Sequence, residues 1–329
     1  MSEGFAARNQ RSQILSLRQL VPDLLAQAGL ERSTFRLVNL GFNAVFRVFH
    51  SSGDYALRIP LNSRRTPEQA AGEVAWIESL ANEPAIHVPK IKRMLDGSPL
   101  AWLRGDPTPG SLFTRDRGCL IMHWHPGRIM GETRSPLAHQ RLGSALSVLH
   151  RQAEQFCFPQ GTSRPVLKDV LDGLPWRLPD DAELIDTVEQ GNRVLERLRP
   201  QTSYPVHFDL HHWNVMQWGQ ALVVLDFDDS VIAPPAFDVA QSLFYIRRNE
   251  SDACERSFWN GIGKTPAELG VTEAEIELLL ACRAILLAND LLLNVTADLI
   301  AMAPAYVERT QKRVKAFCQT GRYDPSVGK

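Results

Sequence analysis

The sequence has almost no net charge, −1 from 36 basic and 37 acidic residues. It therefore lacks the general basic field that gathers a polyanion, and nucleic acid is not an expected partner. A long apolar run is also missing. The richest apolar stretch, Ile276 to Ile300, is broken by Arg283, Asn289, Asp290, Asn294 and Asp298, which marks a core helix rather than a membrane span. The opening MSEGFAARNQRSQ lacks the apolar segment of a secretory signal. Cysteine is scarce: Cys119, Cys157, Cys254, Cys282 and Cys318 are scattered without C-x-x-C spacing, so there is no zinc signature and no disulfide framework. Reduced thiols and a cytoplasmic location are expected. Internal repeats and low-complexity tracts are absent too.

What is present suffices for two lobes: 329 residues, 44% of them hydrophobic. TFRLVNL, AVFRVFH and DYALRIP are short β-prone runs, the last two separated by the turn SSG. Thr66-Pro67-Glu68-Gln69 combines an N-cap, a proline at the first helical position and a capping-box glutamine, which predicts a helix from Pro67 to Ala81. KIKRMLDGSPLAWL predicts a hairpin turning at Asp96-Gly97, and GCLIMHWHPGR a strand that ends at Pro126-Gly127. From Pro136 the pattern is mainly helical, near 136–155, 181–198, 236–248 and 272–317, interrupted by a hairpin around Gly219-Gln220. The expected architecture is α+β and bilobal. A small β-rich lobe over 1–126, with a helical extension over 1–30, precedes a larger helical lobe over 127–329.

Residues 206 to 215, VHFDLHHWNV, concentrate the chemistry. His207, Asp209, His211 and His212 could ligate zinc or iron, but metal hydrolases place the paired histidines and the acid in a different order. An isolated histidine-rich loop that merely satisfies backbone groups is a further alternative. A kinase catalytic loop, H-x-D-L-x-x-x-N, makes an extra demand: a hairpin must follow and deliver a second aspartate. His207, Asp209, Leu210 and Asn214 fill the first pattern, and VMQW and ALVVLDF then deliver Asp226 within DFDD. Phosphoryl transfer needs a carboxylate that orients the attacking hydroxyl and oxygen ligands for Mg²⁺; Asp209, Asn214 and Asp226 supply that set.

HFDLHHWNV…VVLDFDDSVIAPPAFDVA resembles the H-G-D-L-H-P-G-N-V…I-D-F-D-D…P-x-x-D-L-A block of the aminoglycoside phosphotransferase and choline kinase-like family, which includes homoserine kinases and a bacterial stress-response kinase. NLGFNAVFRV, YALRIP, EVAWIESL and LSVLHRQAE are similar to its nucleotide loop, phosphate-binding strand, acidic helix and L-H helix. The resemblance implies a protein-kinase-like fold using ATP and Mg²⁺. It places Asp209 and His207 in the catalytic loop, Asn214, Asp226 and Asp228 at the metal, and Gly41 and Asn43 at the nucleotide loop. Backbone groups near His123 to His125 would face the adenine, and Asp238 would brace the catalytic loop.

Glu73 follows from physics alone. It lies beside the Ala70, Val74, Ile77 and Leu80 stripe of its helix, and a carboxylate there needs a basic partner on the sheet. Arg58 is the candidate, and the pair would hold nucleotide phosphates. Arginine stands where better known family members have lysine. Phe208, His212 and Trp213 replace small or rigid residues, which suggests an altered acceptor pocket or lost activity. His150, on an amphipathic helix, reads as a buried hydrogen-bonded histidine rather than a catalyst. Arg283, Leu287, Asp290 and Asn294 share one face of the 272–300 helix and, with Trp213, are candidate acceptor contacts; an internal hydrogen-bond network is the other reading. Arg309, Lys312, Arg313 and Lys315 on the C-terminal helices weigh against a cationic antibiotic. The expected function is transfer of the γ-phosphate of ATP to a small-molecule hydroxyl, a metabolite alcohol or an aminoglycoside-like compound. The alternatives are a nucleotide-binding pseudokinase, a protein Ser/Thr kinase and a metal-dependent hydrolase.

Overall fold

The computed structural model describes residues 4–108, 111–219, 221–248 and 251–328. Helix α1 (Gln10–Gln27) starts at Asn9, whose side chain accepts the Ser12 N–H. Three antiparallel strands follow, β1 (Thr34–Leu40), β2 (Asn43–His50) and β3 (Gly53–Pro60). Helix α2 (Pro67–Ser79) then begins with the full Thr66/Gln69 capping box. With β4 (Ala101–Leu103) and β5 (Arg117–His123) the sheet is ordered β1-β2-β3-β5-β4.

Strand alternation divides the sheet into two working faces. Ala44, Phe46, Val48, Tyr55, Leu57, Ile59, Cys119 and Ile121 form one core with Leu17, Val21, Leu24 and Leu25 of α1. Leu120 joins the other core with Val74, Trp76 and Ile77 of α2. Arg58, paired in register with Val45 and Leu120, shares this second face.

Past β6 (Arg128–Ile129) the chain is mainly helical: α3 (Pro136–Ala153), α4 (Ala182–Leu198), α5 (Pro235–Arg247), α6 (Asp252–Ile262), α7 (Glu273–Leu292) and α8 (Ala297–Thr320). Short strands β7 (Tyr204–Val206), β8 (Val215–Trp218), β9 (Ala221–Val224) and β10 (Val231–Ala233) are set among them as a β10-β7 pair and a β6-β8-β9 sheet. An antiparallel sheet region followed by a helical region is the arrangement the sequence pattern predicts. Among the described residues no helix is long and apolar enough to cross a membrane.

Several elements differ from expectation. The hairpin over 90–103 has only one regular arm, β4: Pro89 and Pro99 cannot donate to a ladder, and the other arm touches β5 through an Ile91–Met122 bridge alone. The regular β5 strand stops at His123, although the Trp124 amide still donates to Asp54 O of β3 at 2.9 Å, before Pro126 interrupts the chain. The long helix expected over 272–317 is two helices. Between them Asn294 Oδ1 accepts the N–H groups of Val295 and Thr296, a local competition that ends helical pairing. Helix α6 was not anticipated. At the β8–β9 turn Gly219 has φ +61°, and Gln220 lies outside the described residues.

Candidate active site

The 207–214 loop leaves β7 and is held from beneath by Asp238 of α5. The Asp238 carboxylate accepts from the backbone amides of His207 (3.1 Å) and Phe208 (2.7 Å), and His150 Nε2 of α3 lies 2.9 Å from it. His150 is thus a buried hydrogen-bonded group. His207, expected beside Asp209 as a catalytic residue, also faces inward. Its Nε2 is 2.8 Å from Leu225 O, its Nδ1 accepts the Asp209 N–H, and its ring packs on Phe227. With both ring nitrogens engaged it positions the loop against the hairpin end and has no free site for moving a proton.

A cleft of about 350 Å³ opens over this loop, lined by residues of the sheet region and the helical region. Among the described residues only Asp172, Phe208 and Asp226 combine a side chain with left-handed φ (+51°, +65° and +56°), and all three line this cleft. Strain of this kind costs on the order of 1–3 kcal/mol per residue and persists where surrounding contacts over-determine it. At Phe208 the two Asp238 bonds supply that hold.

Asp209 is tied at both oxygens. Asn214 Nδ2 donates to Oδ2 at 2.9 Å, His211 Nε2 lies 3.3 Å from Oδ2, and Arg283 Nη2 donates to Oδ1 at 2.7 Å. Burial pushes its pKa up, but His211 and Arg283 outweigh burial and bring it down to about 2. Arg283 also donates to Tyr245 Oη at 2.9 Å, and the His211 ring packs on Tyr245 with centroids 4.0 Å apart.

Behind the cleft wall, and not among the cleft-lining residues themselves, Arg58 Nη2 donates to Glu73 Oε2 at 2.7 Å and Nη1 to Asp226 Oδ1 at 3.0 Å, so the pair meets the cleft through Asp226. Arg58 and Glu73 are both buried. Burial raises the pKa of Asp226, against the pull of Arg58 and with the help of Asp228 and Glu73. Asp229 is held well above the ordinary range by burial and the charges of Asp209 and Asp228. Asp228 goes the other way, because Arg58, Arg65 and Arg164 overcome the cost of burying it. Carboxylates whose pKa values are raised by burial and then by one another's charge are relieved by a cation. Asn214 and Asp226 provide oxygen donors of the kind Mg²⁺ takes, one or two from protein and the rest from phosphates and water. Among the described residues no three His, Cys, Asp or Glu side chains converge as metal ligands, so the histidines of VHFDLHHWNV do not form a metal cage.

Other candidates disperse. Gly41 and Asn43 line the cleft, with Gly41 O accepting from Thr296 Oγ1 at 2.6 Å. His123 donates its amide to Lys90 O, its ring lies on Tyr55, and the His125 ring packs on Trp218; neither histidine lines the cleft. Of the backbone groups near His123 to His125 expected to face the adenine, the amides of His123 and Trp124 are engaged within the protein. Trp213 is 54% exposed and outside the cleft. Asp290 lines it and Asn294 does not, being consumed in the α7–α8 break. Of the C-terminal bases only Arg283 reaches the cleft, where Asp209 neutralises it. Arg64, Arg65, Asp172 and Tyr245 line the cleft unforeseen. Nothing in their local sequence marks them: Arg-Arg after a strand reads as surface and Asp172-Gly173 as a turn.

A sequence model of the phosphotransferase enzyme family matches residues 34–272. No curated protein matches the chain in sequence. Among solved structures, a microcompartment-associated aminopropanol kinase is 18% identical, with a TM-score of 0.70 over 95% of this chain and 100% of that one. An amicoumacin kinase in complex with AMP-PNP, Ca²⁺ and Ami is 19% identical, with a TM-score of 0.68 over 95% of both chains. A Plasmodium vivax ethanolamine kinase is 16% identical, with a TM-score of 0.58 over 92% of this chain and 89% of that one. These likenesses establish the fold as the protein-kinase-like one.

Proposed function

The chain belongs to the phosphotransferase enzyme family, and from that premise we propose that it moves the γ-phosphoryl group of ATP to the hydroxyl of a small amino alcohol. The observation that carries this reading is the convergence of Asp209, Asn214 and Asp226 on one cleft, with the Arg58–Glu73 pair joined to it through Asp226. Asp209, with a pKa near 2, is a poor proton acceptor. It suits a reaction with a loose, metaphosphate-like transition state, in which the acceptor hydroxyl needs orientation first and loses its proton late. His211 and Arg283 keep the carboxylate fixed for that task. Mg²⁺, held by Asn214 and Asp226, would offset phosphate charge. Arg58 braced by Glu73, with Gly41 and Asn43 of the nucleotide loop, binds the phosphates; Asp228 stays close to Arg58 and Arg65 and completes the acidic floor.

The amine follows from charge. Six aspartates but only three arginines line the cleft, so it favours a cationic occupant. Asp172 and Asp290 stand beside Leu174, Leu286 and Leu287, and burial raises both carboxyl pKa values, a state an ammonium group relieves. The similarity in fold to kinases named for aminopropanol and ethanolamine supports the same class. A regulator without turnover is the competing reading. Its one favouring observation is that Arg58 and Arg283 already occupy Asp226 and Asp209.

An ADP-release assay with MgATP and a panel of amino alcohols and uncharged polyols separates these. Turnover on an amino alcohol is expected, and Asp209→Asn should lower kcat by about 10²–10⁴-fold with the KM for ATP little changed. Turnover confined to the uncharged polyols would remove the amine, and an Asp209→Asn enzyme within threefold of wild type would remove the catalytic assignment.

A further inference from the structure

A second cavity, of about 260 Å³, lies behind the Arg58–Glu73 pair, between the first turn of α2, the chain at Ser63–Thr66 and the start of β5. Arg58, Arg64, Arg65, Arg115 and Arg117 line it, and Trp102 contributes an aromatic wall. We propose that this cavity is a binding site for a small molecule bearing a phosphate group, separate from the catalytic cleft.

The argument is one of uncompensated charge. Glu73 and Asp226 take the terminal nitrogens of Arg58. Arg64 and Arg65 approach Asp172 only at 3.8 and 3.7 Å. Asp116, which lines the same cavity, is bound by Arg104 at 2.7 Å and also accepts the Gly105 amide. Asp228 is shared among Arg58, Arg65 and Arg164. Arg115 and Arg117 therefore form no ion pair with a carboxylate among the described residues, and Asp228 acts on Arg117 only as a nearby charge already shared with three other arginines. Arg117 is held by a hydrogen bond to Ser63 O and by the Phe113 ring, and burial followed by the charge of Arg115 lowers its pKa. The Nε groups of Arg58 and Arg117 are buried with no acceptor, and Arg58 is only 5% exposed. The charge of Arg58 is already met by Glu73, Asp228 and Asp226, so the unanswered demand is that of Arg117, a half-buried guanidinium with an unused N–H that an anion satisfies.

Phosphate matches that demand better than a carboxylate. Its two charges answer two unpaired guanidinium groups, and its oxygens accept from their planar forks. The first turn of α2, at Thr66 and Pro67 on the cavity wall, adds the positive end of a helix dipole. Pro60, Pro67 and Ala70 with Trp102 give an apolar surface for the organic part of the ligand. The cavity shares Ser63, Arg64, Arg65 and Asp228 with the cleft, so its occupant lies one guanidinium away from Asp226.

Calorimetric titration of inorganic phosphate into protein saturated with AMP-PNP and Mg²⁺ tests the assignment, because the nucleotide blocks the phosphate subsite of the cleft. Binding is expected, at least tenfold tighter than that of acetate and weakened at least tenfold in both Arg115→Ala and Arg117→Gln. Arg115 is exposed, so the first variant does not endanger folding, and neither residue lines the cleft. Absence of phosphate binding, equal binding of acetate, or a loss smaller than tenfold in Arg115→Ala overturns the proposal. If AMP-PNP itself fails to bind, the proposed function is the casualty. Phosphate binding that is still lost in Arg115→Ala continues to assign this cavity.

Discussion

At the scale of single residues, burial separates groups that titrate from groups that do not. His212 is 4% exposed, and its pKa falls from an ordinary 6.5 to about 4, by burial first and then by the neighbouring charges of His211, His139 and Arg248. Its Nδ1 has no partner. Between those two values the unfolded chain binds a proton that the folded chain refuses, so stability rises with pH across this window and is lost as pH falls through it. Thermal midpoints measured from pH 7 to pH 4 should therefore drop more steeply for wild type than for His212→Phe; parallel curves would show that His212 carries no such load. Asp209, Asn214 and Asp226 were legible because they lie in one contiguous loop and hairpin whose spacing chemistry dictates. Arg58 was legible because Glu73 on an apolar helix face required a partner. Asp172, Arg65 and Tyr245 were not, since only tertiary packing carries them to the cleft and nothing within a few residues of each signals it.

At the scale of elements, local chemistry fixed some boundaries and long-range contacts fixed the rest. The start of α2 was readable because Thr66 and Gln69 cap each other within one turn. The break between α7 and α8 was hidden because a single asparagine, Asn294, makes it without glycine or proline. Helix α6 is short and contains Gly261, a poor helix former, so its pattern does not stand out in the sequence. Gly263 ends the helix with φ +69°, while Gly261 is there for packing. A Cβ on Gly261 would lie 2.0 Å from Gln140 O, and one on Gly143 of α3 would lie 2.2 Å from Phe258 O. The α3 and α6 backbones thus cross in direct contact through reciprocal glycines. Gly143→Ala should cost about 1–3 kcal/mol, the usual range for overpacking. Denaturant unfolding checks this, and a midpoint unchanged from wild type would place the two helices further apart.

At the scale of the whole molecule, a few long-range ties hold the sheet region over the helical one. Arg164, 3% exposed, donates to the carbonyls of Gln69 on α2 and of Phe227, Asp228 and Ser230 beside the cleft, so the helix bearing Glu73 and the chain bearing Asp226 share one cation. Gln13 of α1 donates to Val295 O and accepts from the Ala297 amide, and Thr296 donates to Gly41 O, which fastens the β1–β2 turn to the α7–α8 junction. No periodicity in the sequence foretells such ties, yet they set the relation between Arg58 and Asp226 on which the functional reading depends. Calorimetric titration of ATP into the protein with and without Mg²⁺, for wild type and Asp226→Ala, tests that reading most directly. The account predicts binding that requires Mg²⁺ and weakens at least tenfold in the variant. No nucleotide binding, or binding indifferent to both the metal and the substitution, would contradict it.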